Sequence, residues 1–190
     1  KDGGIGRINV TKFLGFKNYK YIYYMDSDDV IPEGTLCNMY ALSEKNGSEM
    51  TICNVARFNS NKIWESGIHR TVFENVKHIT HISENPELLF DTTSWNKLIL
   101  REFYLRNQFA FPEDVLYEDI PVTIPMHILA NKVSVYNAVG YLWRVRESAS
   151  KSITQNTESI KNLVDRIRIM RMLDKFFKTN LSDATLNIEK

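Results

Sequence analysis

Cysteine is nearly absent from this chain of 190 residues: Cys37 and Cys53 are the two, and they form no CxxC pair. A disulfide-stapled scaffold and a thiolate metal site are thereby excluded, and two buried free thiols in a reducing compartment such as the cytosol are expected. No apolar run reaches the ~18 residues that a membrane-spanning helix needs, and no signal-peptide pattern opens the chain. Membrane association is therefore expected to be peripheral or to come from sequence outside these residues. Neither sign of charge prevails, since 24 Lys and Arg face 23 Asp and Glu for a formal net charge of +1. That balance gives no general field for polyanions. His69, His78, His81 and His127 have no HExxH or similar metal spacing, and the aromatics are not interleaved with Lys and Arg as in RNA-binding motifs. Zinc and nucleic acid are thus not expected ligands.

What is present is enough apolar and aromatic material, 43% and 12%, for one globular domain with an appendage. Tyr21 to Met25 reads as a buried strand, and a helix is expected from about Pro32 to Asn46, stopping at Gly47. Met50 to Val55 gives a second buried strand. Short strands are expected at Ile63-Trp64 and Thr71-Val72-Phe73, and a short helix from Ser83. Trp95 to Arg106 has helical spacing with Leu98, Phe103 and Leu105 inward. A further helix runs from Asp119 to Asn131, with Pro125 threatening a kink, before strands at 132–136 and 140–143. The last element, about Glu158 to Lys178, carries Ile160, Leu163, Val164, Ile167, Met170, Leu173 and Phe176 at helical intervals. Met170, Met172, Phe176 and Phe177 read as core or as an interface stripe, so oligomerisation through this helix is one expectation. The class is α/β with a C-terminal helix.

Three clusters carry chemistry. Asp26-Ser27-Asp28-Asp29 follows the first strand directly, and carboxylates this close repel unless a cation, a helix N-terminus or solvent offsets them. Mn²⁺ or Mg²⁺ completed by phosphate oxygens is one reading, and a solvated turn with a helix cap is the other. Glu118-Asp119 comes second: as an N-cap, Asp119 would have its carboxylate fixed at a helix mouth, where it serves either as a cap alone or as a general base. Third, Arg144 and Arg146 share one face at a strand end, either solvated or arranged for phosphate.

Taken in order, Gly3-Gly4-Ile5-Gly6, Tyr21 to Asp29, Trp95-Asn96-Lys97-Leu98, Phe111-Pro112, Tyr117-Glu118-Asp119, Trp143 to Arg146 and Ser152-Ile153-Thr154 resemble glycosyltransferase family 2. More narrowly they resemble the bacterial enzymes that build capsular, teichoic-acid and lipopolysaccharide sugars. The resemblance covers residues 1–156, leaving 157–190 as a C-terminal helical segment. It implies a GT-A fold with a mostly parallel sheet that binds a nucleotide-diphospho-sugar at its strand ends. It further implies Asp26 near the ribose and Asp28 on a Mn²⁺ or Mg²⁺ bridging the diphosphate, both being DxD-type metal acids. Asp119 would be the base with Glu118 beside it, Arg144 and Arg146 would face the diphosphate, and Trp95 and Lys97 would line the acceptor side. Inverting transfer to a hydroxyl of a cell-surface glycan or polyol phosphate, free or lipid-linked, is the implied reaction, in the cytoplasm or at the inner face of the membrane.

Two features depart from the pattern. No base-cradling strand and helix precede Lys1, so the chain reads as an N-terminally truncated domain, and a catalytically incomplete interaction module is the alternative. The glycine loop continues Arg7-Ile8-Asn9 where Ala-Arg-Asn is common, so Arg7 receives no donor-binding role.

Overall fold

The computed structural model describes residues 19–146 and 160–180. The glycine loop with Arg7 and the Ser152-Ile153-Thr154 motif lie outside the described residues. The elements are β1 (Tyr21–Tyr23), α1 (Thr35–Asn46), β2 (Met50–Phe58), β3 (Ile63–Glu65), α2 (Gly67–Phe73), β4 (Ile79–Thr80), a 3₁₀ turn (Pro86–Phe90), β5 (Lys97–Leu100), α3 (Arg101–Arg106), α4 (Ile120–Leu129), β6 (Val133–Arg144) and α5 (Ile160–Asn180).

The strands form one sheet in the order β1-β5-β2-β6-β4, with β3 folded back on β2. Only the β2–β6 pairing is parallel among the described residues, and the other pairings run antiparallel. The α/β, GT-A-like architecture is as expected, but the sheet is mixed rather than mostly parallel: β5 enters between β1 and β2 against both of them. Side chains alternate across β2, so Met50 and Ile52 join the core beneath α2, α3 and α4, while Cys53 and Val55 join the core beneath α1 with Met39.

Several local expectations give way to packing. Trp95 to Arg106 is a strand followed by a short helix, because Leu98 and Ile99 bury on opposite faces of a strand paired on both edges. Leu105, expected inward, is exposed. Thr71 to Phe73 completes α2 instead of a strand. α1 begins at Thr35, since Gly34 before it adopts φ +76°, and it ends where Gly47 adopts φ +60° and donates to Ser43 O. α4 continues through Pro125. The two strands expected at 132–136 and 140–143 are one, β6, joined through register shifts opposite Cys53 to Val55. Gly140 sits in that irregular stretch because a Cβ there would meet Cys53 Cβ at 2.7 Å and Thr35 Cγ2 at 2.9 Å. Of the two thiols, Cys53 is buried as expected while Cys37 is exposed.

α5 packs against α4, yet most of its apolar stripe faces outward: Ile160, Leu163, Val164, Ile167 and Met170 are exposed, and Leu173 is buried. The core reading of that stripe is thus corrected. No helix among the described residues is long and apolar enough to cross a membrane.

Candidate active site

The acid turn is anchored to β6 by backbone pairing. Val30 and Leu142 exchange hydrogen bonds, Val30 N–H to Leu142 O at 3.1 Å and Leu142 N–H to Val30 O at 2.8 Å. This bridge sets Asp29 beside the end of β6, where its carboxylate accepts from Tyr141 OH and from the Arg144 amide, both at 2.7 Å. Tyr141 OH in turn accepts from the Asp26 amide at 3.1 Å. Asp29 is buried, and burial, only partly offset by these two donors, pushes its carboxyl above the usual carboxylate range. Burial likewise pushes up the Tyr141 hydroxyl, which keeps it a neutral donor. The third acid of the cluster is therefore a tie between turn and strand, and Asp28 is left to face outward.

Asp28 gathers both arginines. Arg146 Nε and an Arg146 terminal nitrogen lie 2.9 and 2.8 Å from Asp28 Oδ2, and Arg144 Nε donates to the Asp28 carbonyl. The Arg144 guanidinium also stands over the Phe58 ring at 4.3 Å. Asp26, Asp28, Arg144 and Arg146 are thus brought to one end of β6. No cluster of three His, Cys, Asp or Glu forms a ready cation cage among the described residues. Asp28 nevertheless remains accessible, its side chain 35% exposed, so it fits a hard cation whose other ligands are phosphate oxygens and water.

Asp119 stands at the N-cap position of α4 as expected, but its carboxylate makes no capping hydrogen bond, so the expected side-chain cap is corrected. Its residue is already in helical conformation, φ −69° and ψ −41°, so the side chain does not turn back over the first amides. Instead Asp119 Oδ1 accepts from Ser94 Oγ at 3.2 Å, and Asp119 O accepts from Thr123 N at 2.8 Å. Thr123 Oγ1 further ties α4 to Thr92 O at 2.9 Å. Glu118 is half-buried beside it.

Trp95 and Lys97 are corrected as direct acceptor contacts. Trp95 is 4% exposed and stacks on Tyr141 at 4.2 Å between ring centroids, with Trp143 and His69 against it as well. Lys97 is wholly buried, its ammonium 2.8 Å from Asp91 Oδ2 and donating to Thr93 O at 2.6 Å and Asn96 Oδ1 at 2.8 Å. Burial alone would raise the Asp91 carboxyl, but the Lys97 ammonium and then His69 outweigh it and hold it well below the usual range. The Trp-Asn-Lys segment is a charged, hydrogen-bonded core that supports the site from beneath. Through it the Tyr141–Trp95 stack links the acid turn to Ser94 and so to Asp119.

Sequence reasoning missed the tying roles of Tyr141, Asp29 and Ser94. Asp29 lies inside the acid cluster but carried no mark of burial, and nothing near Ser94 announces a partner 25 residues away.

No curated protein sequence matches the chain significantly. Among solved structures, residues 1–349 of S. aureus TarS in complex with UDP-GlcNAc superpose with a TM-score of 0.70 at 18% identity, over 89% of this chain and 46% of that one. The same TarS fragment without ligand gives 0.71 at 20% identity over 96% and 48%, and its complex with UDP gives 0.66 at 18% identity over 89% and 44%. The chain spans about half the length of the solved structures it matches, and at these identities the likeness establishes the fold. The sequence model for Glycosyl transferase family 2 matches residues 8–106, more than half of the chain, and the chain therefore belongs to glycosyl transferase family 2.

Proposed function

We propose that the protein is an inverting glycosyltransferase that moves a sugar from a nucleotide-diphospho-sugar to a hydroxyl of a cell-surface glycan or polyol phosphate, free or lipid-linked. The observation that carries this reading is the convergence of Asp28, Arg144 and Arg146 at the end of β6 in a family 2 chain. Two guanidinium groups beside a carboxylate suit a diphosphate bound with a cation, since each charge there meets its opposite. Mn²⁺ or Mg²⁺ would be held by Asp28, with Asp26 beside it, and would supply positive charge against the leaving diphosphate. Arg146, paired to Asp28 without a donor, would then turn to the phosphate oxygens. The acceptor oxygen forms its bond to the anomeric carbon as the bond to the diphosphate oxygen breaks, and the nucleoside diphosphate departs with that electron pair. Asp119, held by Ser94, takes the hydroxyl proton, with Glu118 next to it. The TarS complexes with UDP-GlcNAc and UDP support a uridine nucleotide-sugar as the first donor to try. A cytoplasmic site of action, at the inner face of the membrane where the acceptor is lipid-linked, fits such a donor.

The test is nucleoside diphosphate release from a nucleotide-sugar panel beginning with UDP-GlcNAc, comparing wild type with Asp119→Asn. Because the Asp119 carboxylate makes no capping hydrogen bond, the substitution should leave the melting temperature almost unchanged while turnover falls by about 10²–10⁴-fold, the usual contribution of a general base. Near-normal turnover by the variant would remove Asp119 from this role. Sugar binding without turnover by the wild type would favour the incomplete interaction module.

A further inference from the structure

The segment that ends in Glu118-Asp119 is gripped from outside by the C-terminal helix. Leu116 N–H donates to Asp165 Oδ2 at 3.1 Å, and Tyr117 OH donates to Asn162 Oδ1 at 3.0 Å. A terminal nitrogen of Arg166 donates to the same Tyr117 oxygen at 3.1 Å, and its guanidinium lies 5.0 Å from the Tyr117 ring centroid. Asn162 and Asp165 are each 1% exposed, although Ile160, Leu163, Val164 and Ile167 around them face solvent. The same face buries Ile169 and Leu173 further along, so its C-terminal half is apolar while its N-terminal half turns two polar residues inward and leaves apolar neighbours in solvent. In the N-terminal half of the helix the inward face is thus held by polar contacts to two residues of one loop, and Lys161 at 2.6 Å and Arg168 at 3.4 Å balance the Asp165 charge.

That loop needs holding. Tyr117 has φ +64° and Asp114 φ +57°, a left-handed conformation that a side chain with a Cβ adopts at a cost and that persists only where neighbours over-determine it. The three bonds to α5 fall on Leu116 and Tyr117, immediately before Glu118-Asp119 and the first turn of α4.

We propose that Asn162 and Asp165 are positioning residues, holding Leu116 and Tyr117 so that Glu118 and Asp119 stand at a fixed place and angle for proton transfer. This rests on the reading of Asp119 as the base. It gives α5, which the family match does not reach, a part in the reaction. Misplacement of a reacting group by about an ångström can cost roughly a hundredfold in rate, whereas donor binding at Asp28 and Arg144 lies outside the clamp.

The experiment measures kcat, donor KM and melting temperature for Asn162→Leu, Asp165→Asn and Tyr117→Phe in the full chain, with the donor that the panel identifies. The expected result is kcat lowered by about ten- to a hundredfold at unchanged donor KM, with Asn162→Asp, which keeps an acceptor for the Tyr117 hydroxyl, recovering most of it. Lowered melting temperature with wild-type kcat in folded variants would overturn the clamp. Tyr117→Phe removes a single hydroxyl from a half-buried loop, so it decides the matter even where the helix variants do not fold. Asp119→Asn separates the two readings: its near-normal turnover defeats the base assignment, while an inactive Asp119→Asn beside fully active clamp variants defeats the clamp alone. No turnover by the wild type with any donor overturns the functional reading and this inference together.

Discussion

Replacing Lys97 by Met separates a buried structural lysine from an acceptor-binding one. The ammonium has three hydrogens and three oxygen partners, Asp91 Oδ2 at 2.8 Å, Thr93 O at 2.6 Å and Asn96 Oδ1 at 2.8 Å, with both members of the ion pair at 0% side-chain exposure. Methionine fills the stem but donates nothing, so Asp91 keeps a buried charge faced by neutral donors from Asn96 and Thr93 and by His69, without the ammonium. Removing one member of a buried pair typically costs about 3–5 kcal/mol. For a chain of this size each kcal/mol moves the melting temperature by about 2–4 °C, so a fall of about 6–20 °C is expected. An exposed lysine would cost no more than about 0.5 kcal/mol. Urea unfolding should give a lower midpoint at unchanged slope. The deficit should shrink on acidification, because an Asp91 without its cation has a raised folded-state pKa and takes up a proton that relieves the charge. A melting temperature within about 2 °C of wild type, together with a raised acceptor KM, would refute the buried-pair account and return Lys97 to the acceptor side.

Asp28→Asn should remove most of the Mn²⁺-dependent part of UDP affinity in titration calorimetry, and metal alone should bind weakly to either protein; equal metal-dependent affinities would take Asp28 out of the site. His127 is buried, and burial, then the nearby Lys97 ammonium, lowers its imidazole to about 3 from an ordinary 6.5. The unfolded chain therefore binds the proton first, and stability present above pH 6.5 should be lost as pH falls toward about 3, by at most roughly 5 kcal/mol. His127→Leu should flatten that part of the profile in chemical denaturation, and an unchanged profile would mean that the imidazole is not held neutral. Gly140→Ala should destabilise by about 1–3 kcal/mol through overpacking against Cys53 and Thr35, and adding Cys53→Ala should recover part of it; an alanine tolerated without loss of melting temperature would show that β6 can move away from α1 there.

Elements written in local signals were legible. Apolar runs marked β1 and β2, Gly47 marked the end of α1, and Pro121 marked the opening of α4, because each signal acts within a few residues of the structure it directs. The same holds for the site's outline: the acid turn, the Glu118-Asp119 pair and the Arg144/Arg146 pair each announce charge that must be offset. What could not be read was which group offsets which. Leu98-Ile99-Leu100 fits helix or strand until β1 and β2 pair with it, and Lys97 looks like any basic residue until Asp91 is folded beneath it.

By itself, then, the sequence determined the family, the α/β class and the acid and arginine clusters whose charges the fold must offset. The tertiary structure alone decided that Asp29 is a buried tie to Tyr141 across 112 positions, that Trp95 and Lys97 are buried beneath the site, and that α5 turns Asn162 and Asp165 inward while Leu163, Val164 and Ile167 face out. The reason is physical: secondary structure and turn chemistry are set by neighbours in the chain, but the exposure and pairing of a charge are set by whichever distant segments the fold packs around it.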